Sequence, residues 1–239
     1  MPEQTTTEAY IDMRVPGGLG GRWYGVFPAL VSDINDPDGQ GRVKVTLPWA
    51  PDTGGGRYEA WARLATFMGG NNRGSWFVPD VSDEVLVVFE AGDPRRPYVI
   101  GGLWNGQDAP PQSMDGAGKN DLKVLRSRNG VKLTLDDTTG QEKMILETPG
   151  GQRLTLKDGP GNVIIEDSNG NSLKMEPSGV TVNAAAKVTV TAGAQVEINA
   201  AQVTVNAAMS NFNGVIRCDT IIATTVVGTS YTPGAGNIW

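Results

Sequence analysis

Asp33, Asn35, Asp36 and Asp38 crowd into the stretch SDINDPDGQGR, and their oxygens invite comparison with a calcium loop. A loop of the EF-hand kind ends on a bidentate carboxylate at its twelfth position, and counting from Asp33 that position is Lys44. The stretch therefore reads as a turn, with Pro37 setting φ and Gly39 supplying a free backbone. Arg95 and Arg96 in GDPRRPY have the fork chemistry of an anion clamp, but next to a turn they read as solvated side chains or as ion-pair partners for another subunit. Trp23, Trp49, Trp61, Trp76 and Trp104 have rings that stack on bases or sugars in some small barrels. On a chain of net charge -6 and pI near 4.8 a polyanion is a poor partner, so these rings are expected in the core and at interfaces.

Other catalytic chemistry is thin. The chain has no histidine, which removes the commonest general base, the usual partner of a Ser or Cys nucleophile and the usual transition-metal ligand. Asp158, Glu166 and Asp167 fall at the turns of a repeat, where exposed charge is expected, and a glycosidase pair needs a cleft between its carboxylates. Cys218 is the single cysteine and reads as a small buried apolar side chain. No catalytic residue, metal or cofactor is expected.

The elements that carry these residues are strands. Gly (32) and Pro (15) are plentiful, charged residues make up 19% of the 239, and no long stretch holds a helical apolar period. Residues 1–21 are polar, end in PGGLGG, and read as an arm or as a strand that orders only against a partner. No run of apolar residues is long enough to span a bilayer, and the first residues lack the basic start and apolar core of a secretory leader, so synthesis in the cytoplasm is expected.

From residue 22 to 104 short apolar strands alternate with turn residues. RVKVTL sets Val43, Val45 and Leu47 on one face against Arg42, Lys44 and Thr46 on the other, pairing as a hairpin with WYGVFPALVSDI. AWARLA, EVLVVFE and PYVIGGLW supply further strands. About five strands with no covering helix predict a small closed barrel of the OB type. Residues 105–121, rich in Gly and Pro, read as a linker.

Beyond the linker the chain becomes repetitive: VKLTLDD, MILETPG, QRLTLKDG, NVIIEDSNG, NSLKMEPSG, VTVNAAA, KVTVTAG, AQVEINA, AQVTVNA. Apolar-x-apolar pairs recur at Leu154/Leu156, Val163/Ile165, Leu173/Met175, Val180/Val182, Val188/Val190, Val196/Ile198 and Val203/Val205. Their first members lie 9, 10, 7, 8, 8 and 7 residues apart by subtraction. Each unit is a short strand with a turn, too small to bury its apolar face alone. Three chains winding together would make each strand one side of a prism, turn the pairs inward and leave no free edge. From Val180 onward only Lys187, Glu197, Arg217 and Asp219 are charged, a surface tolerable on a closed prism. The expected domains are thus an arm at 1–21, an OB barrel at 22–104, a linker at 105–121, an intertwined trimeric β-helix at 122–217 and a terminal segment at 218–239.

In combination, DPDGQGRVKV, RGSWFVPDVSDEVLV and GDPRRPYVIGGLW resemble the OB domain of phage baseplate assembly protein V and of the VgrG spikes of type VI secretion. That likeness covers about residues 23–111, and the second half is similar to the trimeric β-helix which the same family attaches to the barrel. The resemblance implies a homotrimeric structural spike at the centre of a contractile tail or injection particle, seated on a baseplate hub and driven through a target envelope. The sequence departs from members of the family that carry a lysozyme domain, because only a short linker separates the halves here, and from those whose tip holds iron with histidines, because it has no histidine, so neither that activity nor that site is expected. The resemblance also implies a separate PAAR-like tip protein docked on Tyr231, Ile238 and Trp239, and a hub contact at Arg95 and Arg96. Two rivals remain: an OB protein binding oligosaccharide or nucleic acid, and an envelope-degrading enzyme.

Overall fold

The computed structural model describes residues 22–51, with nothing said of the Pro51 side chain, and residues 56–230. In chain order the first strands are β1 (Phe27–Asp33), β2 (Val43–Pro51), β3 (Arg57–Leu64), the two-residue pair β4 (Gly69–Gly70) and β5 (Arg73–Gly74), β6 (Glu84–Phe89) and β7 (Pro97–Gly102). Five of them close a barrel in the order β1-β2-β3-β7-β6. Every pairing is antiparallel except β3 with β7, which is parallel. Alternation dictates what lies inside: Val43, Val45 and Leu47 of β2 are fully buried, as are Val85 and Val87 of β6, while Ala29, Val31, Ala62 and Val99 complete the core. Trp23 closes one end, its ring 5.1 Å from Phe89 and 5.2 Å from Tyr58 between centroids, with Phe27 and Trp49 alongside.

The barrel strands match the expected ones to within a few residues, but the β4–β5 hairpin was not anticipated, because GGNNRG reads as loop. Of the five tryptophans weighed as packing residues, only Trp23 is a core residue; Trp76 (77% exposed) and Trp104 (70%) stand on the surface of the single chain. Trp76 is nonetheless placed, for its ring lies over Gly41, where a Cβ would come within 2.9 Å of it and where φ is +72°.

After the linker come β8 (Leu122–Arg126), β9 (Lys132–Asp136), β10 (Lys143–Glu147), β11 (Arg153–Lys157), β12 (Asn162–Glu166), β13 (Ser172–Glu176) and β14 (Gly179–Asn183). They form one seven-stranded antiparallel meander in sequence order. Three of its turns share one device: the residue ending each loop accepts and the first donates, as Ser127 to Val131, Thr148 to Gln152 and Asp167 to Asn171, with Gly130, Gly151 and Gly170 at φ between 86° and 90°. A turn every few residues lets each strand fold back on the one before it, so backbone pairing through Asn183 is intrachain, while the apolar faces of these short strands, as expected from their length, are not buried by that pairing.

A second compact unit begins at Val188. Residues 188–230 contain no strand, and their side chains are exposed throughout. Cys218, expected to be buried, is exposed in the single chain for the same reason: its segment finds no pairing partner in its own chain.

Candidate assembly interface

The meander is built so that the second and fourth residues of each strand share a face. Cross-strand register turns these into two ladders of apolar side chains. One runs Leu125, Leu133, Leu146, Leu154, Ile165, Leu173, Val182; the other, starting beside Lys123, runs Leu135, Met144, Leu156, Val163, Met175, Val180. Among the described residues nothing covers the outer parts of these ladders, and Leu125, Leu135, Leu146, Leu156, Ile165, Met175, Val180 and Val182 are exposed. Burying one half-exposed side chain of this size contributes on the order of 1 kcal/mol, so a face with eight of them is a strong drive to associate.

The opposite face explains why the ladders do not simply turn outward. Its central row is Val124, Thr134, Ile145, Thr155, Ile164, Lys174, Thr181, flanked by charged residues at the strand ends. Glu147 pairs with both Lys132 and Arg153 at 3.0 Å, and Lys143 pairs with Asp136 at 3.0 Å. The stems of these side chains cover the row, leaving Thr134 only 7% exposed. This face is finished as a surface; the laddered face is not.

The structure brings eight of the expected core residues, from Leu154 to Val182, onto that one face. It also places Leu133, Leu135, Met144 and Leu146 there, which the pairs chosen from sequence omitted although they show the same spacing of two. The remaining expected core residues, Val188, Val190, Val196, Ile198, Val203 and Val205, are 58–72% exposed and unpaired within the chain.

The other sequence-selected residues are occupied locally. Asp36 accepts from the amides of Asp38, Gln40 and Arg42 and from the Arg42 guanidinium at 2.6 Å, and Arg42 above all holds its carboxyl well below the usual carboxylate range. Its oxygens are thus spent on the turn. Arg95 forks onto Asp93 at 2.9–3.0 Å, holding that carboxyl low as well, and Arg96 reaches Glu90 at 3.4 Å. Asp167 caps its turn through the Asn171 side chain and the Asn169 and Asn171 amides, which hold its pKa down to about 2. The Asp158 carboxylate accepts from the amide of its neighbour Gly159, and Glu166 ends β12 opposite Arg153. Among the described residues no group of three or more His, Cys, Asp or Glu is arranged to hold a metal ion, and no helix is long and apolar enough to cross a membrane. Tyr231, Ile238 and Trp239 lie outside the described residues, as does the arm at 1–21.

Comparison with known proteins finds two family matches, one in each half of the chain. Residues 27–104 match the type VI secretion system/phage-baseplate injector OB domain, and residues 143–214 match the phage baseplate V C-terminal trimerisation domain. The type VI secretion system spike protein VgrG1b of Pseudomonas aeruginosa is 27% identical over 128 residues, 51% of this chain and 17% of that protein. Spike protein VgrG4b of the same organism is 32% identical over 114 residues, 46% of this chain and 14% of its own. The actin cross-linking toxin VgrG1 of Vibrio cholerae is 25% identical over 128 residues, 49% of this chain and 12% of the toxin. The matched region therefore spans less than a fifth of the length of each of these relatives.

Proposed function

The chain belongs to the phage-baseplate V and VgrG family of injector spike proteins, and from that premise we propose that three copies of it form the structural spike of a contractile tail or injection particle. The observation that carries this reading is the pair of uncovered apolar ladders inside a domain whose family is a trimerisation domain. In a three-fold assembly each chain supplies one meander as a wall, and the ladders of the three walls face one another. The valine pairs beyond residue 188, unpaired in their own chain, take strand partners from the other two chains, which is where the chains intertwine.

The proposed work is mechanical. The spike passes axial load from the baseplate to a target envelope, and a lattice in which every strand has hydrogen-bonded neighbours resists that load. Arg95 and Arg96, already paired within their own turn, present exposed guanidiniums to a hub subunit. Tyr231, Ile238 and Trp239 hold a separate tip protein of the PAAR kind. No enzymatic role is proposed, and the toxin activity named for one relative is not transferred, because only 12% of that protein is matched. Nucleic acid is a poor partner for the same barrel, since Arg42, Lys44, Arg95 and Arg96 are each countered by a carboxylate.

Solution mass tests the assembly. Sedimentation should give a particle of three times 25.3 kDa at micromolar concentration, and a stable particle of one chain would refute the spike. Deleting residues 231–239 should abolish co-purification of the tip protein; retention of the tip by the shortened chain would remove that docking site from the proposal.

A further inference from the structure

The outside of the barrel carries a groove of about 240 Å³, whose rim holds the Arg95 and Arg96 offered above to a hub subunit and whose floor has been given no role. It lies between the β1–β2 turn, β3 and the residues leading into β7, with Trp61 and Arg63 side by side on one face of β3 and Tyr98 opposite. Arg42 and Lys44 stand over the Trp61 ring, at 5.8 and 5.4 Å from its centroid. Those two cations, and Arg95 and Arg96 at the rim, each have a carboxylate partner. Arg63 has none among the described residues. Its guanidinium lies 5.4 Å from the Tyr98 centroid, exposed to solvent. The groove therefore presents one aromatic surface and one uncompensated cation, two residues apart on a strand.

The chain itself supplies a matching segment. Arg22 donates to the Ala91 carbonyl at 2.9 Å, and the Trp23 amide donates to the Gly92 carbonyl at 2.7 Å. Gly92 is needed there, because a Cβ would lie 3.2 Å from both Arg22 and Trp23. Arg22, the residue to which the N-terminal segment is joined, is thus held at the 90–92 turn, whose Glu90 lines the groove. In their sequence AYIDMRV, Tyr10 and Asp12 have the same separation as Trp61 and Arg63, and they alternate with Ile11 and Met13. Glu3, Glu8 and Asp12 outnumber the single cation Arg14. Ten residue steps lead from Asp12 to Arg22, a reach of up to about 33 Å, and the covalent link keeps the local concentration of the segment high.

We propose that this groove is the seat of the chain's own N-terminal segment, with Asp12 meeting Arg63 and Tyr10 stacking on Trp61. The inference is independent of the spike reading, since it concerns only the barrel and the residues that precede it. Hydrogen exchange on the full chain tests it. Amides of residues 8–15 should exchange at least tenfold more slowly than in a free peptide of that sequence, and Arg63→Asp should remove the protection. The charge swap Asp12→Arg with Arg63→Asp should restore it, which loss of fold alone would not do. If Arg63→Asp disturbs the barrel, Tyr10→Ala with Asp12→Asn, both outside the barrel, should free the segment equally. Free-peptide exchange rates in the unaltered chain would overturn the proposal, as would protection indifferent to these changes. A disulfide between Tyr10→Cys and Trp61→Cys in a Cys218→Ser background separates the source of the segment. A band of one chain in unreduced denaturing gels, with both thiols closed to maleimide until reduction, supports seating within the chain; a one-chain band with both thiols free, or a crosslinked band of two chains, overturns it.

Discussion

Asp136 shows how single residues finish the outer surface of the sheet. Its carboxylate accepts from the Thr138 hydroxyl at 2.6 Å and amide at 3.0 Å and pairs with Lys143, and these partners, Thr138 first, hold its pKa down to about 2 from an ordinary 3.8. Because the folded value lies below the unfolded one, the stabilisation is whole above pH 4 and is lost as pH falls through about 2. Thermal midpoints measured between pH 4 and pH 2 should therefore fall less steeply for Asp136→Asn than for the parent chain; parallel curves would remove Asp136 from the acid response. Inside the barrel the logic is packing. Leu47 is fully buried on the inward face of β2, and Leu47→Ala should cost about 2–5 kcal/mol in denaturant unfolding. Much at this scale was legible beforehand: SDINDPDGQGR reads as a turn from Pro37, Gly39 and the failed calcium spacing, and its Asp36 oxygens prove to be spent on that turn. Trp76 was not legible, since only the approach of residue 41 to its ring distinguishes it from the buried Trp23.

At the scale of elements, period-two alternation located the strands because a sheet with one wet and one dry face admits no other register. The same rule makes a sharp prediction on β14, where Val182 belongs to a ladder and Thr181 points to the opposite face. Val182→Asp should reduce the sedimenting mass from three chains to one, whereas Thr181→Asp should leave it unchanged; equal effects would show that the laddered face is not the contact. Alternation did not reveal which strand each one pairs with. VKLTLDD and VTVNAAA look alike as repeats, but the first lies beside a turn with Gly140 at φ +75° that folds it onto the following strand, and residues 184–230 contain no hydrogen-bonded turn. Connection chemistry, not strand composition, separates intrachain pairing from pairing that awaits another chain.

At the scale of the whole molecule, the exposed valines of residues 188–205 and the exposed Cys218 describe a chain that is unfinished alone. In the proposed trimer no segment leaves before its neighbours release it, so unfolding should be slow. Maleimide labelling of Cys218 should accordingly be slow in the native particle and fast once denaturant dissociates it; equally fast labelling in both states would place the thiol outside the contacts between chains. Two conclusions were already determined by the amino-acid sequence: that the chain is all-β, because its alternation has period two and its turns come every few residues, and that its second half needs company, because strands so short cannot bury their own apolar faces. Only the tertiary structure decided that residues 122–183 close their backbone pairing within one chain and that their apolar pairs align into two continuous ladders. Register across a meander depends on the geometry of each turn, and Arg63 comes to lie beside the Tyr98 ring only once β3 and β7 are side by side, a juxtaposition that no local pattern encodes.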